Sequence, residues 1–182
     1  MTLHIALLRS VNLSGRNLVA MSGLKGLLSD LGFLHVRSLL QSGNLVFESR
    51  GKTGDELERL LERTTEERLK IRTAYFVRTA KEWNGIVAGN PFPADAKDDP
   101  GHLVVSLLKR APRTNDLDAL QASISGPERV RGGSRHAYIT YPAGIGRSKL
   151  TTALIEKTLG SSATARNWNT VLKLHASVQG LP

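Results

Sequence analysis

The run "HVRSLLQSGNLVFES", residues 35–49, decides how this chain is read. Two short apolar, β-branched stretches flank "QSGN", where Ser42, Gly43 and Asn44 signal a tight reversal, so the run predicts a β-hairpin. Upstream, Leu18, Met21, Leu24, Leu27, Leu28 and Leu31 fall at helical spacing, and Gly32 stands where a C-terminal cap belongs. Before that helix, "LHIALLRS" (3–10) reads as an apolar strand. Downstream, Thr53 and Glu56 form a capping box that opens a helix carrying Leu57, Leu60, Leu61 and Thr64 on one face. "RTAYFVR" (72–78) is aromatic and β-branched, hence a strand. The order β-α-β-β-α-β is the split-βαβ, ferredoxin-like arrangement, an antiparallel sheet with two helices on one face.

A second capping box, Thr79 to Glu82, starts a short helix with Trp83, Ile86 and Val87. "GNPFPADAKDDPG" (89–101) holds three prolines and no periodicity, which reads as a linker or exposed loop. Beyond it, "HLVVSLLK" is a strand, and Thr114 is expected to cap a helix with Leu117, Leu120 and Ile124 inward. "ERVR" and "RHAYITY" flank "GGS" as a second hairpin, and two helices follow at roughly 148–159 and 167–178. The expected fold class is α+β: an N-terminal ferredoxin-like βαββαβ unit over 1–89, a linker at 90–101, and a second, smaller α+β subdomain over 102–182 packed against it. No internal repeat stands out in the sequence.

The 182 residues suffice for a buried core, and 40% hydrophobic with 23% charged residues is a globular balance. No run approaches the roughly 18 apolar residues of a membrane span. The N-terminus lacks a basic segment and a small-residue cleavage site, so no signal peptide is expected. Without cysteine the chain has no disulfide, no thiolate metal site and no cysteine nucleophile, and the cytoplasm is the expected compartment. The net charge is +9, with an isoelectric point near 10.3. The excess is uneven: residues 127–182 hold eight basic residues against Glu128 and Glu156. A field of that sign attracts phosphates and polyanions.

Functional interest therefore centres on "YPAGIGRSKLTTALIEKTLGSSATARNWNTVLKL" (141–174). Gly144 and Gly146 allow a tight turn and close ligand approach, Ser148 is a natural helix cap, and Arg147 and Lys149 add charge beside the positive helix end. "RNWNTV" repeats the pattern with Arg166, Asn167 and Asn169, while Trp168 reads as a stacking face or, by preference, a core anchor. Neither stretch is a Walker A loop, which needs four residues between its first glycine and Gly-Lys. Neither is a dinucleotide fingerprint, because Lys149 stands where the third glycine belongs. The G-x-G turn resembles locally that of helix-hairpin-helix DNA-binding modules, but it follows a strand where those modules have a helix. In the first half, Arg9 at a strand end and Asn12 in the following loop join the candidate anion-binding set.

Catalytic constellations are missing from the sequence. The five histidines show no metal-ligand spacing, no G-x-S-x-G elbow occurs, and "DELERLLERTTEE" (55–67) reads as a solvated helix face. No metal and no cofactor are expected. The readings that follow are an anion- or phosphate-binding protein, with nucleic acid or a phosphorylated small molecule as partner. The alternatives are an enzyme acting on a small anionic metabolite in a cleft between the halves, and a protein-interaction module.

The motifs "ALLRSVNLSGRNLVAM" (6–21), "LGFLHVRS" (31–38), "QSGNLVF" (41–47), "GIGRSKLTTALIEKTLG" (144–160) and "TARNWNTVLKL" (164–174) resemble, nearly end to end, those of the bacterial family catalogued as domain of unknown function 1697. Ser10 and Leu13 depart from the first motif, where a glycine and a smaller residue are commoner. The resemblance implies a two-part α+β protein beginning with a ferredoxin-like unit. It carries no activity, and it leaves Arg9, Asn12, Ser42, Gly43, Asn44 and the residues of the last two motifs as family-like positions without assigned roles.

Overall fold

A computed structural model describes residues 1–9, 21–39 and 43–179. Asn12 and Ser42 lie outside the described residues. The chain divides into two units, Met1–Asn84 with Leu174–Pro182, and Gly85–Lys173. This division differs from the expected 1–89 and 102–182. The C-terminal segment rejoins the first unit, where Arg37 Nη2 donates to the Ser177 carbonyl at 3.1 Å and Gln179 Nε2 donates to Asn84 Oδ1 at 2.8 Å. Residues 90–101, expected as a linker, belong to the second unit and fold in part as a helix.

In the first unit β1 (Thr2–Leu8), α1 (Met21–Asp30), β2 (Leu34–Ser38), β3 (Asn44–Ser49), α2 (Gly54–Leu69) and β4 (Tyr75–Thr79) follow the expected order, and α3 (Ala80–Ala88) leaves directly from β4. The antiparallel sheet has strand order β2-β3-β1-β4, the arrangement of the ferredoxin-like split βαβ. Alternation in the strands sends Ala6, Leu8, Leu45, Phe47, Tyr75 and Val77 against Leu24, Leu27 and Leu28 of α1 and Leu57 and Leu61 of α2. Both capping boxes form: the Glu56 amide donates to Thr53 Oγ1 and the Glu82 amide to Thr79 Oγ1, with each glutamate carboxylate returning to the cap amide at 2.7 Å.

The second unit holds α4 (Pro93–Asp98), β5 (Leu103–Leu108), α5 (Thr114–Ser123), β6 (Arg129–Gly132), β7 (His136–Thr140), a 3-10 turn (Ile145–Arg147), α6 (Thr152–Leu159), β8 (Ala163–Asn167) and the start of α7 (Trp168–Val178), whose residues from Leu174 on belong to the first unit. Two cap expectations change here. Arg113, without a side-chain cap bond, precedes α5, and Thr151, not Ser148, caps α6 by accepting from the Leu154 amide at 3.3 Å. Sheet order is β6-β7-β5-β8, so β5-α5-β6-β7-α6-β8 repeats the topology of the first unit strand for strand.

The repeat extends to individual bonds. The Leu8 amide donates to the Gly43 carbonyl and the Arg9 amide to the Ala74 carbonyl; the Leu108 amide donates to Arg135 and the Lys109 amide to Ser162. Register then pairs Ile5 with Arg78 in one sheet and Val105 with Arg166 in the other. Glu62 of α2 accepts from the amide that opens β4, Tyr75, and Glu156 of α6 accepts from the amide that opens β8, Ala163. Little beyond "LLR" against "LLK", "VRT" against "ARN" and the two glutamates survives in sequence, which is too little to reveal a repeat by inspection.

Among the described residues no helix is long and apolar enough to cross a membrane, and no group of three or more His, Asp or Glu residues is arranged to hold a metal ion.

Candidate functional site

The segment from Tyr141 to Thr151 is tied down before it reaches α6. The Tyr141 amide donates to the His102 carbonyl at 2.9 Å, the Gly144 amide returns to Tyr141 at 2.8 Å, and the Tyr141 hydroxyl donates to the Leu150 carbonyl at 3.3 Å. Burial, with the Glu128 carboxylate nearby, pushes the Tyr141 phenol up to about 12, so it remains a donor at neutral pH. Gly144 has φ of 90°, a conformation that favours glycine. Gly146 is different: its φ is ordinary, and a Cβ there would meet nothing within 4 Å. Neither backbone conformation nor packing requires a glycine at 146.

The turn borders a cavity of about 240 Å³ lined by Ser123–Glu128, Ala143, Arg147–Leu150 and Leu154. At its floor Glu128 is buried, 7% exposed, and the Ser148 hydroxyl donates to Glu128 Oε1. Ser148 Oγ in turn accepts from the Leu150 amide at 3.0 Å. The Glu128 carboxylate folds over Gly126, where a Cβ would make it shift. Arg147 and Lys149 are exposed at the cavity and have no ionic partner among the described residues. The cavity thus combines two unpaired cations with a buried carboxylate already satisfied by a hydroxyl.

The contrast with a neighbouring cavity of about 410 Å³ is informative. There Arg129 forms a two-oxygen ion pair with Asp95 at 2.7 and 2.8 Å, and His102 Nδ1 lies 2.8 Å from Asp99 Oδ2. Arg129, the arginine bordering that cavity, is matched by a carboxylate, whereas Arg147 and Lys149 are not.

The second motif lies in strand and helix rather than in this cavity. Strands β7 and β8 flank β5 and both end where β5 begins, so their C-terminal ends stand two strand spacings apart, about 10 Å. The turn and "RNWN" therefore leave the same end of the sheet. The lining of the 240 Å³ cavity nevertheless comes from the α5–β6 connection and includes none of Arg166, Asn167 and Asn169. Arg166 lies on β8; its Nη1 donates to Thr164 Oγ1 at 3.1 Å and to the Ala165 carbonyl at 2.8 Å. Burial lowers its guanidinium to about 10, which still leaves it charged at neutral pH. Asn167 Oδ1 accepts from the Thr170 amide at 3.0 Å, as a helix cap does, and Asn169 is exposed in the first turn of α7. Trp168 is buried at 5% exposure and its amide donates to the Pro100 carbonyl, so it is a core anchor.

Arg9 lies in the first unit, at the end of β1. Its amide donates to the Ala74 carbonyl and its carbonyl accepts from Thr73 Oγ1 at 3.1 Å. Gly43 has φ of 65°, and a Cβ there would press on Leu8 Cβ at 3.1 Å, so its role is turn geometry. Asn44 donates to the Leu39 carbonyl and closes the hairpin. Sequence reading missed Glu128. The residue follows "GP" at a helix stop and gives no hint that Ser148, twenty residues on, will hold it.

The sequence matches the model of the family described as "Protein of unknown function (DUF1697)" over residues 1–138, and the chain belongs to that family. The match ends within β7, ahead of Gly144–Lys149 and Arg166–Asn169. A solved structure described as that of the conserved bacterial protein SP0830 from Streptococcus pneumoniae is similar along 96% of this chain and 97% of its own, with a TM-score of 0.74 and 19% identity. At that identity the likeness is one of fold. No match was found among curated proteins.

Proposed function

We propose that this member of the DUF1697 family is an anion-binding protein that takes a small phosphorylated ligand in the cavity bordered by Arg147, Ser148 and Lys149. The observation that carries the reading is the unpaired state of Arg147 and Lys149 at the mouth of that cavity. Helix energetics would favour acids there, because the positive end of a helix dipole repels cations. The repeat supplies the control. Aligning α2 and α6 on the Glu62 and Glu156 bonds sets Asp55 and Glu56, the acidic first turn of α2, against Lys149 and Leu150. A bound anion offsets a charge that the fold does not use.

The cavity volume of about 240 Å³ suits a phosphoryl group carrying a few further atoms. Its floor adds selectivity. The Ser148 O–H is given to Glu128 Oε1, which leaves lone pairs of the carboxylate to accept from a hydroxyl near the phosphate, so such a ligand is favoured over a bare divalent anion. Gly146, free of any folding requirement, allows the backbone to approach the phosphate oxygens. The test is a thermal-shift series with inorganic phosphate, glycerol 3-phosphate and sulfate. Binding to the native state raises the apparent melting temperature with ligand concentration. Glycerol 3-phosphate is expected to give the largest shift, and Arg147→Ala/Lys149→Ala is expected to give none; equal shifts in both proteins would reject the site.

A further inference from the structure

The cavity of about 410 Å³ shares no lining residue with that of Arg147 and Lys149. Its charge has the opposite sign. Asp95, Asp98 and Asp99 border it against Arg129 and His102, so one carboxylate is in excess even when the imidazole is protonated. Both oxygens of Asp95 are taken by Arg129, and Asp99 Oδ2 lies 2.8 Å from His102 Nδ1. The remaining carboxylate, Asp98, is exposed and has no ionic partner among the described residues. Asp98 is the last residue of α4 and Asp99 its C-terminal cap, where outward carbonyls favour cations over acids. Helix formation gains nothing from acids at that end, and Lys97, beside them on α4, does not line the cavity.

A second observation comes from the sheet. Thr140 of β7 also lines the cavity; it is 1% exposed, and its hydroxyl oxygen has no hydrogen-bond partner among the described residues. Register pairs Thr140 with Arg129 of β6, so both side chains stand on one face of the sheet. Ala137 and Ile139 point to the other face, into the apolar core. Arg129 meets Asp95 on the face that Thr140 shares, so the unpartnered hydroxyl is aimed beneath the surplus acid. A buried hydroxyl without a partner is costly to the fold, and a donor entering the cavity relieves that cost.

We propose that this cavity binds a primary ammonium group carried on a short carbon chain. Such a group brings three N–H donors and no acceptor. The carboxylates of Asp98 and Asp99 and the Thr140 hydroxyl oxygen are the acceptors offered to it, and Ala94 and Pro142 line space for the carbon chain. The volume falls in the range of small-molecule sites. A metal ion fits less well, because no group of three or more His, Asp or Glu among the described residues is arranged to hold one. No residue of the phosphate reading enters this site, so the two stand or fall separately.

The experiment is an NMR titration of the protein's amide signals with butylammonium chloride. Tetramethylammonium, magnesium and sodium chlorides are run beside it at equal ionic strength. Butylammonium is expected to give saturable shifts centred on the Asp98, Asp99 and Thr140 amides. Tetramethylammonium, which has the charge but no N–H, is expected to bind at least about tenfold more weakly. Asp98→Asn is expected to weaken butylammonium binding about tenfold. Thr140→Val keeps the shape and removes the hydroxyl; it is expected to weaken binding while leaving the urea midpoint unchanged or higher. Shifts no different from those of sodium or tetramethylammonium, tighter binding of magnesium at the same amides, or an affinity unchanged in either variant overturns the proposal.

Discussion

The approaches to α2 and α6 occupy the same place in two repeats of one topology, yet they carry opposite charge. In the first unit Thr53 opens α2 with a capping box, and Asp55 and Glu56 fill its first turn. In the second unit the helix begins later, at Thr152, and a 3-10 turn ending in Arg147, followed by Ser148 and Lys149, stands ahead of it. The first arrangement is what helix formation favours, since capping side chains and acidic groups satisfy the free amides and the dipole. The second gives up a full helical turn and places cations where they repel the helix end. The difference teaches that α2 is opened by a capping box and acids, while α6 is capped by Thr151 alone and approached through cations without an ionic partner among the described residues.

The strands that follow show a second asymmetry. Arg78 on β4 is buried and pairs with Glu58 of α2 at 3.4 Å, whereas the equivalent Arg166 on β8 holds Thr164 Oγ1 and the Ala165 carbonyl. By the same alignment Thr152 stands where α2 has Glu58. The largest expected effect therefore belongs to the first unit: Arg78→Ala removes the cation paired with the buried Glu58, which keeps the Val77 amide, and should cost about 3–5 kcal/mol in urea unfolding. A loss no larger than that of a surface substitution would show that the pair is not buried as described.

The next effect tests the floor of the cavity. Ser148→Ala strands Glu128 Oε1 and the Leu150 amide, and a loss of about 1–3 kcal/mol is expected from leaving such groups unsatisfied. Smaller still, and opposite in sign, is Lys149→Glu. Restoring an acid before α6 should raise stability by about 0.3–1 kcal/mol and abolish phosphate binding. Destabilisation by this change would mean that Lys149 serves the fold. Gly146→Ala should be neutral or slightly stabilising, since its Cβ meets nothing, yet weaken phosphate binding.

His4, in the first unit, carries a pH effect. Burial lowers the imidazole of His4 below its ordinary value of 6.5, an effect partly opposed by Glu82, and its Nε2 lies 3.0 Å from Ser49 Oγ. The unfolded chain then binds the proton more readily than the folded one. His4 therefore contributes stability above pH 6.5, and that contribution is lost as the pH falls below it. Urea midpoints should drop between pH 7.5 and 5.5, and His4→Gln should drop less; equal drops would remove His4 from the account.

Much of the fold could be read because local signals agreed. The hairpin at Gly43 and Asn44, the Thr53 and Thr79 capping boxes and the leucine periodicity of α1 all specify the first unit independently. The second unit was less legible because its signals are displaced. Prolines at 91, 93 and 100 suggested a linker, yet Pro93 opens α4, a position where a missing amide costs nothing. Ser148 has the residue type of a cap, but its hydroxyl is taken by Glu128, and Thr151 caps instead. The repeat itself left almost no trace, because a topology survives on alternation and turns while side chains diverge. At the candidate site, Arg147 and Lys149 stood out from sequence by charge. The carboxylate beneath them did not, since nothing local joins residue 128 to residue 148.

The central claim is that Arg147 and Lys149 are kept for an anion and not for the fold. Isothermal titration of glycerol 3-phosphate into the wild-type protein and into Arg147→Ala/Lys149→Ala, with a urea melt of each, tests it directly. Saturable binding to the wild type, its loss in the variant and an unchanged or higher urea midpoint are the predicted result. A variant that still binds, or one that loses stability as it loses binding, would contradict the claim.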